Sequence, residues 1–223
     1  MEKQMTELMA MTVEEIGESI FRAFPYAEKI PADQRDELAR KADERGQLRA
    51  AELAAEYAGL KPSEIAAENG ISVVNETSEK ANDRFVKFAE FHVKNKKILL
   101  NQNAVAYLEE ALAPPMATEI ILCHELFHFF EHTRWGDLSK EYSFTDTLPM
   151  GIKVKRSILP MSEIAANGFT RTLLQLSFQP KVIEKIYFSV ARNHAAEAEK
   201  KRKKQAEETG LKDKLVKFAF PKR

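Results

Sequence analysis

Residues 120–130 read IILCHELFHFF, an apolar run interrupted only by His124, Glu125 and His128. In a helix of about 3.6 residues per turn, positions four apart stand one above the other, so the two imidazoles share a face. Glu125 then lies on the rim of that face, roughly 100° round from His124. Imidazoles at this spacing suit one zinc ion, and the carboxylate between them suits a water beside it. Polar groups in an otherwise apolar helix need partners, because burying an unpaired one costs about 2–7 kcal/mol. A metal meets that need for both histidines. The competing reading is a pair of core histidines bonded to main-chain carbonyls.

A chain of 223 residues has room for one substantial domain, or for a catalytic domain with helical additions. Hydrophobic content of 44% with 30% charged residues is that of an ordinary soluble globular protein. The 34 basic and 34 acidic residues cancel, so net charge makes no case for nucleic acid. Cys123 has no second cysteine for an internal disulfide and fits a reducing cytoplasm. Residues 1–11 carry Glu2, Lys3 and Glu7 and lack the apolar centre of a signal peptide. No run approaches the roughly 18 apolar residues of a membrane span. A cytoplasmic location is the expectation.

Helical signals dominate the rest. Thr12-Val-Glu-Glu is a capping-box pattern leading into Ile16, Ile20 and Phe24, and residues 33–57 read as a long charged helix. A short helix from Pro62 stops at Asn69-Gly70, and a short strand follows at 71–74. Residues 85–93 and 96–100 read as a hairpin turning at Lys94-Asn95. Helices are expected at 104–112 and 117–132, the latter closed by Trp135-Gly136, and then an irregular stretch at 137–160 with a strand at 152–158. Ser162 is expected to cap a helix over 163–176, and another spans 182–199. The basic block 200–204 is flanked at four-residue spacing by Glu197, Glu199, Glu207 and Glu208, the pattern of a solvated helix face.

A catalytic zinc usually takes three protein ligands and keeps one position open. His132 fails as the third, since eight residues of helix place it about 12 Å from His124. The metzincin pattern fails too, because Glu131 and Arg134 stand where it needs glycine and histidine. Glu163 is the preferred candidate. Along its helix Ala165, Phe169, Leu173 and Leu176 form a core face, whereas Glu163 and Asn167 share another. A carboxylate there suits zinc, with Asn167 one turn on to bond a ligating imidazole. Glu131, Asp137 and Glu141 remain alternatives.

Over residues 63–176 the chain resembles the ImmA/IrrE family of metallopeptidases. Ile65-Ala-Ala-Glu-Asn-Gly-Ile-Ser-Val-Val is similar to the family's helix-then-strand entry, and Lys97-Ile-Leu-Leu-Asn to the strand before its metal helix. Thr118-Glu-Ile-Ile-Leu-Cys-His-Glu-Leu-Phe-His matches that helix, with Phe127 where the family usually has glycine. Glu163-Ile-Ala-Ala-Asn-Gly-Phe is similar to the second zinc helix. The resemblance implies His124, His128 and Glu163 as zinc ligands and Glu125 as the catalytic carboxylate. It also implies cleavage of DNA-binding repressors, a common activity in that family.

The expected fold is therefore α+β: a zincin-like metallopeptidase domain at 63–180, with a small mixed sheet packed on the HExxH helix. A helical region at 1–62 precedes it and a helical extension at 181–223 follows. The expected function is zinc-dependent peptide hydrolysis, making limited cuts in a cytoplasmic repressor. Zinc would lower the pKa of a bound water, and Glu125 would move its proton to the leaving amine. Tyr142, Tyr187, His194 and Arg134 are conceivable oxyanion donors, and the hairpin over 85–100 offers an edge strand to an extended substrate. Two other functions compete. Residues 55–65 have the spacing of a helix-turn-helix, although Glu64 and Glu68 in its second helix would repel phosphate. A zinc-stabilised interaction protein without turnover is the other, and it would leave Glu125 without a task.

Overall fold

The computed structural model describes the backbone of residues 2–77, 81–82 and 85–219, and side chains over 5–77 and 86–205. The N-terminal third is helical: α1 (Glu2–Met9), α2 (Val13–Arg22), α3 (Ala32–Glu56) and α4 (Pro62–Glu68). The capping box opens α2, Thr12 Oγ1 accepting from the Glu15 N–H and Glu15 accepting from the Thr12 N–H. Gly70 ends the α4 region with φ +69°, a conformation that glycine enters without a Cβ penalty.

A small mixed sheet follows. β1 (Ser72–Glu76) runs parallel to β5 (Lys97–Asn101), and β4 (Ala89–His92) pairs antiparallel on the other side of β5. The expected strand over 85–93 is broken. Phe85–Val86 is β3, paired with β2 (Ala81–Asn82), and only β4 joins the three-stranded sheet. The β4–β5 turn also differs from the expected Lys94-Asn95 pair. It takes residues 93–96, with Lys96 in the left-handed region at φ 46°. β5 buries Ile98 and Leu100, and β4 lies at an edge of its sheet.

After α5 (Gln102–Glu109) comes α6 (Met116–Phe130), which carries the HELFH stretch. Apart from the face that carries His124, Glu125 and His128 it is largely apolar, and Leu122, Leu126, Phe127 and Phe130 are buried. Each such side chain contributes about 1.5–3 kcal/mol relative to exposure. Phe127 fills a space between Phe169 and Trp135, its ring 5.6 and 5.8 Å from theirs. The helix does not run on regularly to 132. A π-helical turn, Glu131–Trp135, follows Phe130, and Gly136 at φ +83° turns the chain away.

The stretch 137–160 is more ordered than its composition suggests. α7 (Leu138–Glu141) leads into a hairpin of β6 (Ser143–Thr147) and β7 (Lys153–Ser157). Helix α8 (Pro160–Leu173) then starts before Ser162, because Pro160 supplies a preset φ and needs no N–H acceptor in the first turn. Ser162 therefore lies inside the helix and does not cap it. α9 (Ile183–Ala219) extends well beyond the expected end at 199. Its side chains are exposed from Arg192 to Gln205, and Glu199 pairs with Lys203 at 2.7 Å, as a solvated face requires. The pairs expected with Glu207 and Glu208 lie outside the described side chains.

Helix α3 lies across α8 at unusually short range. Gly46 and Gly168 line the crossing, and Asp43 accepts hydrogen bonds from Gln47 (2.6 Å) and Arg171 (2.7 Å) within it. Ile16, Phe21, Leu53, Leu126, Phe169 and Ile186 all belong to one apolar core, so α2, α3 and the start of α9 share it with α6 and α8. The architecture is α+β, with helices outweighing small sheets. Among the described residues no helix is long and apolar enough to cross a membrane.

Candidate metal centre

Helical spacing stacks His124 and His128 as expected, their rings 4.9 Å apart and their Nε2 atoms 3.2 Å apart. Helix α8 brings Glu163 to the same point, 3.5 Å from His124 Nε2 and 3.6 Å from His128 Nε2. Ligand atoms of the three residues all fall within 4.8 Å of one another. Around a tetrahedral zinc with bonds of about 2.0–2.2 Å, neighbouring ligand atoms stand about 3.3–3.6 Å apart, so the donor set fits that ion. Glu125, half-buried, lines a cleft of about 380 Å³ with all three.

Electrostatics within the group favour charge. Burial opposes ionisation of Glu163, but the His124 hydrogen bond and the charges of His124, His128 and Lys181 outweigh it and hold its carboxyl at about 2. Burial likewise opposes protonation of His128. The hydrogen bond to Glu131 and the charges of Glu163, Glu125 and Glu131 prevail, raising its pKa above the ordinary histidine value. A metal would have to displace the proton so favoured on His128, since an imidazole binds a metal only through the lone pair of its neutral form. Cys123 is buried, desolvation pushes its thiol well up, and it is not one of the residues whose ligand atoms converge.

The other carboxylates considered from sequence lie elsewhere. Asp137 accepts from the backbone N–H and hydroxyl of Ser139, and Glu141 pairs with Arg45. Glu131 is near the histidines but on their far side, 3.3 Å from His128 Nδ1. Asn167 departs from expectation. Its Nδ2 donates to the Glu163 main-chain carbonyl at 2.7 Å instead of to an imidazole, because the i, i+4 geometry of α8 brings that oxygen closest. Asn167 thus steadies the backbone of Glu163.

The four oxyanion candidates are engaged away from the cleft or packed in the core. Arg134 pairs with Glu56, His194 binds Glu110 and faces Tyr107, Tyr187 packs against Phe88, and Tyr142 packs against the core. Lys181 is a cleft residue that the sequence does not point to. It lines the cleft, acts on Glu163 and pairs with Glu184. No spacing connects it to the HELFH stretch. Glu131 did carry a signal, since it follows His128 by three residues on the same helical face.

A second groove, of about 1070 Å³, meets the cleft at His128, Glu163, Lys181 and Glu184. Its apolar wall includes Ile20 of α2, Phe24 just beyond that helix, Val93 and Leu159. β4 runs beside both hollows: Phe88 and Ala89 line one, Phe91 and Val93 the other. Asn101 donates its N–H to the Phe88 carbonyl. The two-residue alternation of an antiparallel pair then turns the main-chain groups of Ala89 and Phe91 toward the sheet edge, which no other strand among the described residues pairs with.

The stretch with helix-turn-helix spacing is fastened to α6. Pro62, Ile65 and Ala66 of α4 are buried, and Ser63 donates from both its N–H and its hydroxyl to Glu119 of α6. The outward face of α4 presents Glu64 and Glu68. Set against protein-family models, curated proteins and solved structures, the chain matches none.

Proposed function

We propose that the chain is a zinc-dependent endopeptidase with a zincin-like fold, acting in the cytoplasm on a DNA-binding repressor. The observation that carries the reading is the convergence of His124, His128 and Glu163, with Glu125 lining the same cleft. The three convergent residues would hold the metal. Zinc bound by two histidines and a carboxylate supplies Lewis acidity toward water and toward a scissile carbonyl.

The rest of the chemistry belongs to the chain. Glu125 takes a proton from the attacking water and returns it to the leaving amine, so a single carboxylate serves both halves of the reaction. Lys181 is the cation at the junction of the two hollows and is the candidate to stabilise developing negative charge. The sheet edge at Ala89 and Phe91 offers main-chain hydrogen bonds to an extended substrate, passing from one hollow to the other beside the His124, His128 and Glu163 group. The apolar wall of the larger groove favours an apolar substrate side chain there. The repressor as substrate rests on the ImmA/IrrE resemblance alone.

Purified protein should carry one zinc per chain and cut a repressor encoded near its own gene at one or two sites. Glu125→Gln should keep zinc and fold and lose cleavage, with products followed by mass spectrometry. Zinc retained without cleavage of any repressor or peptide would favour a zinc-stabilised interaction protein. Sequence-specific DNA binding by the whole chain would favour the helix-turn-helix regulator.

A further inference from the structure

Glu131 is a buried carboxylate that the proposed reaction does not use, 7% exposed and set in the π-helical turn directly after the metal helix. Its two oxygens have separate partners. Oε1 accepts the Leu138 N–H at 3.0 Å, which ties the turn to α7. Oε2 accepts the Ser162 hydroxyl at 2.5 Å and faces His128 Nδ1 at 3.3 Å. Ser162 Oγ is itself 3.4 Å from the same ring nitrogen.

We infer that Glu131 and Ser162 together position His128, fixing its proton on Nδ1 and leaving Nε2 bare toward His124 and Glu163. The reason is an inventory of protons. Ionised, Glu131 has none to give. The Ser162 hydroxyl has one, and the 2.5 Å contact commits it to Glu131. His128 Nδ1 therefore faces two oxygens that only accept, and a neutral imidazole meets them by carrying its hydrogen there. The other nitrogen, 3.2 Å from His124 Nε2, is left with its lone pair exposed toward the group. Ligating histidines commonly acquire their tautomer and orientation from such a carboxylate.

The arrangement also couples the two helices that carry the group. Ser162 precedes Glu163 in α8, whereas Glu131 continues the helix of His128. One hydrogen bond thus registers the carboxylate ligand's helix against the histidines' helix. Asp137 and Lys140, the other charged groups lining this part of the groove, pair with each other at 3.2 Å and take no part. The tautomer is a property of the metal-free chain; its effect on metal affinity rests on the proposed metal function.

The test uses full-length, metal-free protein with nitrogen-15 histidine, in alkaline buffer where the imidazoles are neutral. Long-range nitrogen–proton correlation spectra should show His128 protonated at Nδ1. In Glu131→Gln the amide N–H can donate to Nδ1, so the proton should move to Nε2. Zinc affinity, measured by chelator competition, should fall about 10–100-fold. Glu131→Asp, which keeps the acceptor, should recover much of that affinity and the original tautomer. Ser162→Ala guards against a folding defect in the glutamine variant: the tautomer should persist, and the visible spectrum of the cobalt-substituted protein should change. A proton on Nε2 in the wild type would overturn the inference, as would unchanged tautomer and affinity in Glu131→Gln. Protonation at Nδ1 in a chain that binds no zinc would support the orientation and sink the metal function instead.

Discussion

Gly46 of α3 and Ala165 of α8 touch through their backbones: a methyl group placed on Gly46 would come within 2.1 Å of the Ala165 carbonyl oxygen. Gly168 makes the reciprocal approach, its missing Cβ lying 2.6 Å from the Asp43 carbonyl oxygen. Both contacts are with main chain, which has no rotamer to yield. The crossing they permit seats the helix that presents Glu163 to the histidines.

Gly46→Ala should therefore destabilise the protein by about 1–3 kcal/mol or more, through overpacking that shifts α8. Thermal unfolding of the metal-free variant measures the loss. Zinc affinity should fall as well, because Glu163 moves with its helix. An unchanged melting temperature would show that the crossing can relax without cost.

Removing the proposed ligand and removing the proposed proton carrier should have separable effects. Glu163→Ala should bind zinc far more weakly than wild type, as read by metal analysis after dialysis. Glu125→Gln should keep one zinc and lose hydrolysis by a factor of about 10² or more. Equal metal binding by wild type and Glu163→Ala would remove Glu163 from the ligand set.

The hairpin of β6 and β7 is anchored by a buried acid, and its stability should depend on pH. The hydrogen bond from Lys29, then that from Arg156, hold the Asp146 carboxyl below its usual range against an opposing effect of burial. A depressed folded-state pKa contributes stability that is present above the unfolded value of about 3.9 and is lost as pH falls through the folded value. Asp146→Asn should melt below wild type at neutral pH, with the gap closing as the solution is acidified past the carboxylate range. A gap that stays constant with pH would assign the effect to packing.

Leu159, 59% exposed on the wall of the larger groove, is a large apolar side chain available to a substrate. Leu159→Glu should fold normally and cut substrates with an apolar residue at that subsite about tenfold less efficiently in kcat/KM. Peptide-library cleavage by the zinc-loaded protein should show the preference shifting at one position only. No shift would place the substrate outside this groove.

Local periodicity carried much of the reading. The i, i+4 rule is enough to stack His124 on His128 and set Glu125 beside them, and the Thr12 capping box follows from the side chains themselves. β6 was missed for a physical reason: Ser143–Thr147 shows no apolar alternation, and its buried position is Asp146, made tolerable by Lys29 and Arg156 from distant parts of the chain. Spacing sets Asn167 on the face of Glu163 but cannot say whether its side chain reaches across to another helix or back to the Glu163 carbonyl, as it does.

By itself, then, the sequence determined what adjacent turns of helix determine, namely two imidazoles and a carboxylate on α6 and a second carboxylate opening α8. Only the tertiary structure decided that Glu163, and neither Asp137 nor Glu141, meets the imidazole nitrogens. That choice depends on the close α3–α8 crossing at Gly46 and Gly168, a contact between residues far apart in the chain. The same holds for Glu131: a π-helical turn and the neighbouring Ser162 put it against the outer nitrogen of His128 and not at the point where His124, His128 and Glu163 converge. Helix periods follow from bond geometry within a few residues, whereas convergence of side chains follows from how separate helices pack.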